Sequence, residues 1–195
     1  MSAPERAAPL PATGGLKLAA FSADIIEVSA YVAGAADARR RVAGIDLPAC
    51  GRLTRAAQQL VLSVRPGRWL MLSAPQAPGL AARAWVAACA DQGAVVELSS
   101  ALTPLLFTGA RVREVLARGC RLDLAGAALQ EGRAAATVMA QVAVILAVLP
   151  PGMLVLTPSS TARHLREWLI ATARPFGIAP EVDVSFSDVC GDRAS

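Results

Sequence analysis

The chain is poor in the side chains that most often carry chemistry. Aromatic residues make up 4% of its 195 residues, charged residues 17%, and His164 is the only histidine. The cysteines at positions 50, 89, 120 and 190 show no C-x-x-C spacing, and no carboxylate cluster lies near His164 in sequence. Zinc sites need such a set of ligands, and nucleotide sites need a Gly-x-Gly-x-x-Gly or Walker-type loop, which is also missing. We therefore expect neither a metal site nor a nucleotide cofactor site in this chain.

Positive charge is present but scattered. The formal net charge is +4 with a pI near 9.3, and only Lys17 is a lysine among the 19 basic residues. Arg39–Arg41 is the only run of arginines. A nucleic-acid surface needs several cations along one track, usually with aromatic residues for stacking. A solvated helix face explains Arg39–Arg41 better, so we expect no nucleic-acid partner.

The chain is strongly apolar, at 54% hydrophobic residues and a mean hydropathy of +0.46. Residues 138–156 are mostly apolar, but Pro150-Pro151-Gly152 divides them into halves too short to span a bilayer as helices. Two buried strands joined by a tight turn are expected instead. The amino terminus lacks a basic region followed by an apolar one, so we expect a soluble, cytoplasmic protein with no membrane association. Such a chain should still expose apolar surface, and exposed apolar surface indicates a partner. The alternative is that the high hydropathy only reflects a composition biased toward Ala and Arg.

Several local elements can be predicted from composition and periodicity. Residues 1–15 are rich in Pro, Ala and Gly and are predicted to be a disordered leader, followed by one α+β domain over residues 16–190. Asp24–Val32 has the pattern of a strand. Ala35–Val42 is predicted to be a short helix that ends near Gly44, and Leu47–Gly51 a turn or loop.

A weak internal repeat indicates that the domain consists of two similar halves. Residues 61–98 and 144–184 each read as two strands joined by a Pro/Gly turn, then a helix, then a third strand. Leu70, Leu72, Trp85 and Gly93 match Leu154, Leu156, Trp168 and Gly177 at nearly constant spacing. In the second half, Ser159 or Ser160 is predicted to cap the helix, and Pro175-Phe176-Gly177 to end it, with one helix face formed by Leu165, Trp168, Leu169 and Thr172. The predicted fold class is α+β: duplicated β-β-α-β units, mostly antiparallel sheets and packed helices.

Residues 105–139 form the most informative segment. The apolar run Leu105–Thr108 predicts a strand that meets a turn at Gly109. A short helix should follow, buried along Val112, Val115 and Leu116 and ended by Gly119 in a positive-φ conformation. A loop then closes at Gly132 before the next strand. Arg113 and Arg118 lie outside the apolar stripe and are predicted to be surface residues that tolerate alanine.

This segment resembles the gamma subunit of heterotetrameric sarcosine oxidase, itself similar to the folate-binding aminomethyltransferase domain of the glycine cleavage system. The matching positions are Gly109, Val115, Leu116, Gly119, Cys120, Asp123, Leu124, Gly132 and Thr137. The resemblance extends over residues 25–178 and includes Leu47-Pro48, the Arg65–Leu70 turn and Glu97-Leu98-Ser99. It implies an aminomethyltransferase-like fold.

The resemblance also implies a role. A gamma subunit would be a non-catalytic member of a complex with alpha, beta and delta subunits. That complex demethylates sarcosine oxidatively to glycine, with one-carbon transfer to tetrahydrofolate or formaldehyde release. FAD, FMN, NAD and tetrahydrofolate would then belong to the partner subunits. Open alternatives are the equivalent subunit of N-methylglutamate dehydrogenase, a stand-alone folate-binding protein, and an unrelated α+β interaction module.

Two departures from the family pattern bear on catalysis. Glu97 stands where the family more often has aspartate, and the catalytic aspartate of the folate-binding domain has no counterpart, since neither Asp24 nor Asp46 can be assigned to it. Whether the chain belongs to an enzyme stays open at this point, but we expect no catalysis by the chain alone.

Single polar residues do not form a recognisable site. Ser159-Ser160-Thr161 lacks a flanking histidine or acid and is better explained by helix capping than as a nucleophile. His164 is expected to face solvent, Asp123 to have a loop or cap role, and Cys120 to be a small buried side chain. The sequence thus yields no catalytic, cofactor-binding or metal-binding residue.

Overall fold

The computed structural model describes residues 15–30, 41–42, 45–56, 58–89, 93–124, 129–150, 152–179 and 184–190. The chain divides into two compact units: unit 1 contains residues 1–21 and 103–184, and unit 2 contains residues 22–102 and 185–195. The elements, in chain order, are β1 (Lys17–Ala20), β2 (Asp24–Ala30), β3 (Arg41–Val42), β4 (Ile45–Asp46), β5 (Arg52–Ala56), β6 (Gln59–Arg65), β7 (Arg68–Ser73), α1 (Leu80–Cys89), β8 (Gly93–Glu97), β9 (Leu102–Thr108), α2 (Val112–Ala117), β10 (Ala134–Met139), β11 (Val142–Leu149), β12 (Gly152–Pro158), α3 (Ser159–Ala173) and α4 (Phe186–Cys190).

Unit 2 is built on a five-stranded antiparallel sheet in the order β5-β6-β7-β2-β8. The β6–β7 hairpin closes at Pro66-Gly67, where Gly67 has a φ of +70°, a conformation that favours glycine. Trp69 is buried, and its Nε1 donates a hydrogen bond to Pro48 O at 2.8 Å. The ring therefore ties the sheet to the Leu47–Gly51 turn. The hairpin and this turn each agree with the sequence pattern.

Helix α1 covers one face of this sheet. Its buried residues Ala81, Trp85 and Cys89 recur at every fourth position, so they form one side of the helix. They pack with side chains at alternate positions of the neighbouring strands, which share one face of the sheet: Ile26, Val28, Val61, Trp69 and Met71.

Unit 1 contains the second five-stranded antiparallel sheet, in the order β1-β9-β12-β11-β10. Helix α2 packs through Val112, Val115 and Leu116, which are fully buried as their spacing predicted. Helix α3 packs through Leu165, Leu169 and Ala173. Half-buried Trp168 and Thr172 flank that stripe.

The apolar stretch over residues 138–156 forms strands, as expected. All described residues of β12 except Pro158 are buried, and β11 is buried at most positions. None of the helices in the described part of the chain is both long and apolar enough to cross a membrane.

The two sheets repeat the same topology over four strands. The order β5-β6-β7-β2 in unit 2 corresponds to β10-β11-β12-β9 in unit 1, and α1 follows β7 as α3 follows β12. The duplicated strand-strand-helix arrangement and the α+β fold class are thus confirmed. Whether residues 16–190 behave as one domain stays a prediction.

The fifth strand differs between the halves. In unit 2 the place beside β2 is taken by β8, which follows the helix, as predicted. In unit 1 the corresponding place beside β9 is taken by β1, from the start of the chain. After α3, the chain instead makes a parallel bridge from Ile178 to Leu16. Val184 lies in no strand, and residues 182–183 lie outside the described residues, as does nearly all of the predicted leader.

The predicted helix over Ala35–Val42 is wrong at its end. Arg41-Val42 forms β3, paired with Ile45-Asp46, and residues 35–40 lie outside the described part of the chain. Pairing with β4 supplies the backbone hydrogen-bond partners of Arg41 and Val42. Local helix propensity does not predict this pairing.

Candidate functional site

Two of the hydroxyl residues that start α3, Ser159 and Thr161, have structural partners. Pro158 is the N-cap residue and no side chain caps the helix, so the predicted serine cap is wrong. Strand β12 runs directly into the helix at Pro158, and the hydroxyls bond elsewhere. Ser159 Oγ lies 3.1 Å from Thr103 Oγ1, and Thr161 Oγ1 donates to Pro158 O at 3.1 Å. These contacts explain the segment without a nucleophile.

The remaining polar candidates stay separate. His164 is exposed on α3, as expected, and Asp123 is exposed in the loop after α2. Cys120 is half-buried rather than fully buried; its Sγ lies 4.0 Å from Thr137 Oγ1. Among the described residues, no three His, Cys, Asp or Glu side chains come together as a possible metal site.

Arg113 has a different role from the one predicted. Its side chain is half-buried, and its guanidinium donates to Leu124 O at 2.7 Å and to Leu129 O at 2.8 Å. Burial lowers the pKa of the Arg113 guanidinium. The arginine therefore supplies hydrogen-bond donors to backbone carbonyls on both sides of residues 125–128, which lie outside the described part of the chain.

Two other arginines of the same helix form a surface cluster. Arg111 is the N-cap residue of α2 and Arg118 its C-cap residue, and their guanidinium carbons lie 4.4 Å and 4.7 Å from the centroid of the Phe176 ring. Phe176 belongs to the short 3-10 turn Arg174–Phe176 that ends α3. We call Arg111, Glu114, Arg118 and Phe176 the Phe176 cluster.

Charge in the Phe176 cluster is only partly balanced. Arg111 donates from Nε and Nη2 to Glu114 Oε2, at 3.1 Å and 2.6 Å, and both side chains are more than half exposed. The hydrogen bond from Arg111, together with the charges of Arg111 and Arg118, lowers the pKa of the Glu114 carboxyl. The Arg118 guanidinium donates no hydrogen bond to the described residues, so positive charge predominates in the cluster.

A second surface lies on unit 2. The exposed residues of α1 are Leu80, Arg83, Ala84, Val86, Ala87 and Ala88, which we call the α1 outer face. Leu80 is 45% exposed and Val86 55% exposed. Arg83 is the only charged residue of the helix. A helix that is apolar on all sides is usually covered on all sides.

Helix α3 shows the contrast. Its outer side carries Arg163, His164, Arg166 and Glu167, and Arg163 Nε donates to Glu167 Oε1 at 2.9 Å. That side is suited to water, whereas the α1 outer face is suited to a partner surface. The apolar outer face of α1 is visible in the sequence, since Leu80–Cys89 contains one polar residue. The internal repeat alone does not predict it.

The fold defines an α+β protein with two topologically repeated antiparallel sheets, and its described side chains form no catalytic cluster. No protein-family model matches the chain, and no curated protein matches it in sequence.

Solved structures do match. The chain is similar to a chain of heterotetrameric sarcosine oxidase from Corynebacterium sp. U-96, determined in complex with pyrrole 2-carboxylate, with a TM-score of 0.71 and 23% identity. That match covers 89% of this chain and 91% of the other. The chain is also similar to the glycine cleavage system aminomethyltransferase T from Bartonella henselae, with a TM-score of 0.59 and 16% identity over 85% of this chain. It spans about half the length of that enzyme, 47%. The fold implied by the sequence resemblance is thereby confirmed.

Proposed function

We propose that this chain is a non-catalytic, gamma-type subunit of a heterotetrameric sarcosine oxidase. The observation that carries the proposal is the nearly end-to-end structural match to a chain of such an oxidase. Because almost equal shares of the two chains are covered, the matched chain is of similar length to this one. A short chain of the complex is therefore the counterpart, rather than a large multidomain one.

The α1 outer face supports the subunit role. Its exposed side chains are almost all apolar, and covering them with a partner would remove that surface from water. A partner that binds the folded chain also stabilises it by mass action. We therefore propose that alpha, beta and delta subunits complete the assembly, in the cytoplasm.

The chemistry of such an assembly would lie outside this chain. Sarcosine would lose its methyl group as formaldehyde or as a one-carbon unit on tetrahydrofolate, leaving glycine. We assign FAD, FMN, NAD and tetrahydrofolate to the partner subunits.

Co-purification tests the proposal. The chain carries an affinity tag and is co-expressed with candidate alpha, beta and delta chains. Flavin absorbance should follow the tag in stoichiometric amount, and sarcosine oxidation should be found only in the assembled fraction. Absence of flavoprotein chains from the tagged fraction would refute the subunit role. Activity on N-methylglutamate in place of sarcosine would identify the related dehydrogenase instead.

A stand-alone folate-binding protein is the second candidate, since the fold is also that of about half of an aminomethyltransferase. Calorimetric titration of the isolated chain with tetrahydrofolate separates the two. The subunit proposal predicts weak binding or none, and tight binding would favour the folate-binding protein.

A further inference from the structure

The two arginines of the Phe176 cluster are held in a more ordered arrangement than isolated exposed arginines usually have. Arg111 and Arg118 lie seven positions apart, two helical turns, so they lie on the same side of α2. Both guanidinium carbons lie within 4.7 Å of one ring centroid, and the ring belongs to a different element, the turn that ends α3. Their positions are therefore set by the packing of α2 against α3.

Most hydrogen-bond donors of these two groups have no partner among the described residues. A guanidinium carries five N–H donors, and a cation–π contact does not pair them with oxygen acceptors. Glu114 uses two donor positions of Arg111, and the guanidinium of Arg118 donates to none of the described residues. Exposed Arg174 lies two positions before Phe176 and adds further positive charge.

Such an arrangement favours carboxylates. A planar guanidinium fork pairs with a carboxylate through two parallel hydrogen bonds. Holding a long side chain in place before binding reduces the rotamer entropy that is lost when a partner binds. Nucleic acid fits less well, because guanidinium groups already cover the Phe176 ring and it is not open for base stacking.

We propose that the Phe176 cluster is a docking point for an acidic segment of a partner protein chain, in which Asp or Glu side chains pair with Arg118 and with the free edge of Arg111. This inference rests on the proposed subunit function and adds the chemistry of one contact. It also predicts that part of the affinity depends on salt, because the pairing groups are exposed.

The test measures binding of the full-length chain to the purified flavoprotein chains of its complex at low and high salt. The double variant Arg111→Gln/Arg118→Gln should raise the Kd about tenfold at low salt and flatten the salt dependence. Arg111→Lys/Arg118→Lys keeps the charge without the fork and should give an intermediate Kd. The control Arg163→Gln breaks a similar exposed ion pair on α3 and should change the Kd by less than about twofold.

The single variant Arg118→Gln keeps the test decisive if the double variant unfolds, because this guanidinium donates no hydrogen bond within the described chain. A wild-type Kd and salt dependence in a folded Arg118→Gln protein would overturn the docking point and leave the subunit function standing. Failure of the wild-type chain to bind any flavoprotein chain would overturn both. Loss of binding to a labelled oligothymidylate, with assembly unchanged, would show that the cluster serves nucleic acid instead.

Discussion

The indole ring of Trp168 lies against Gly119 so closely that residue 119 has no room for a side chain. A Cβ at this position would lie 2.5 Å from Cζ2 and 2.6 Å from Cη2 of the ring. The sequence pattern attributes the glycine at this position to a positive φ at the end of α2. That reason is wrong, since Gly119 is not among the positive-φ glycines and the preceding Arg118 is in the right-handed helical region. The glycine is needed for the close approach of α3 to the end of α2.

Substitution of Gly119 should therefore destabilise the fold through a steric clash. Gly119→Ala is expected to cost about 1–3 kcal/mol in free energy of unfolding, and Gly119→Val more, as is usual when atoms are forced into a packed site. Denaturant unfolding of the purified variants gives both values. Trp168→Leu in the Gly119→Ala background should recover part of the loss, because the ring is what the new Cβ meets. No recovery would mean that backbone strain, rather than the indole, sets the requirement.

Arg113→Ala should destabilise the chain by about 1–3 kcal/mol, because it leaves the partly buried carbonyls of Leu124 and Leu129 without their guanidinium donor. Arg121→Ala provides the comparison, since Arg121 is exposed just beyond the same helix. Its effect should lie within about 0.5 kcal/mol of zero. Equal unfolding free energies for the two variants would contradict the role of Arg113 in holding the loop.

The cysteines should react with alkylating reagents in a fixed order. Cys50 is exposed, whereas Cys89 is buried against the sheet of unit 2, and burial raises the pKa of its thiol above the ordinary value for cysteine. A raised thiol pKa means that the folded state disfavours the thiolate. The free energy of unfolding should therefore fall as pH rises above the pKa of this thiol in the unfolded chain. Mass spectrometry after timed iodoacetamide treatment at neutral pH should find Cys50 modified first and Cys89 only after denaturant is added. Rapid labelling of Cys89 in the native chain would show that α1 is not packed as described.

Local patterns were sufficient where a segment's neighbours are close in sequence. The β6–β7 hairpin could be predicted from Pro66-Gly67 between two apolar runs, and α2 from the spacing of Val112, Val115 and Leu116. Both outcomes depend on contacts within a few residues or on one buried face. The fold class followed because the repeated apolar hairpins each precede a helix.

Contacts between residues far apart in sequence determine the structural features that local sequence patterns do not predict. Strand β1 has four residues, and nothing in Lys17–Ala20 shows that it will occupy the place beside β9. The Phe176 cluster exists because α2 and α3 pack together, although Arg111 and Phe176 are far apart in sequence. Helical periodicity places Arg113 on the surface because it describes the helix alone and not the contacts of Arg113 with Leu124 and Leu129.

The α1 outer face allows the subunit role to be tested directly. Leu80→Glu/Val86→Glu places two charges on this face, and His164→Glu places one on the solvent-facing side of α3 as a control. Each chain is tagged and co-expressed with the flavoprotein chains, and the ratio of flavin to tagged chain is measured after purification. The ratio should be stoichiometric for the wild type and His164→Glu and should fall about tenfold or more for the double variant, because buried unpaired charges strongly disfavour an apolar interface. A wild-type chain that carries no flavin, or a double variant that carries as much as the wild type, would contradict the assembly proposed for this chain.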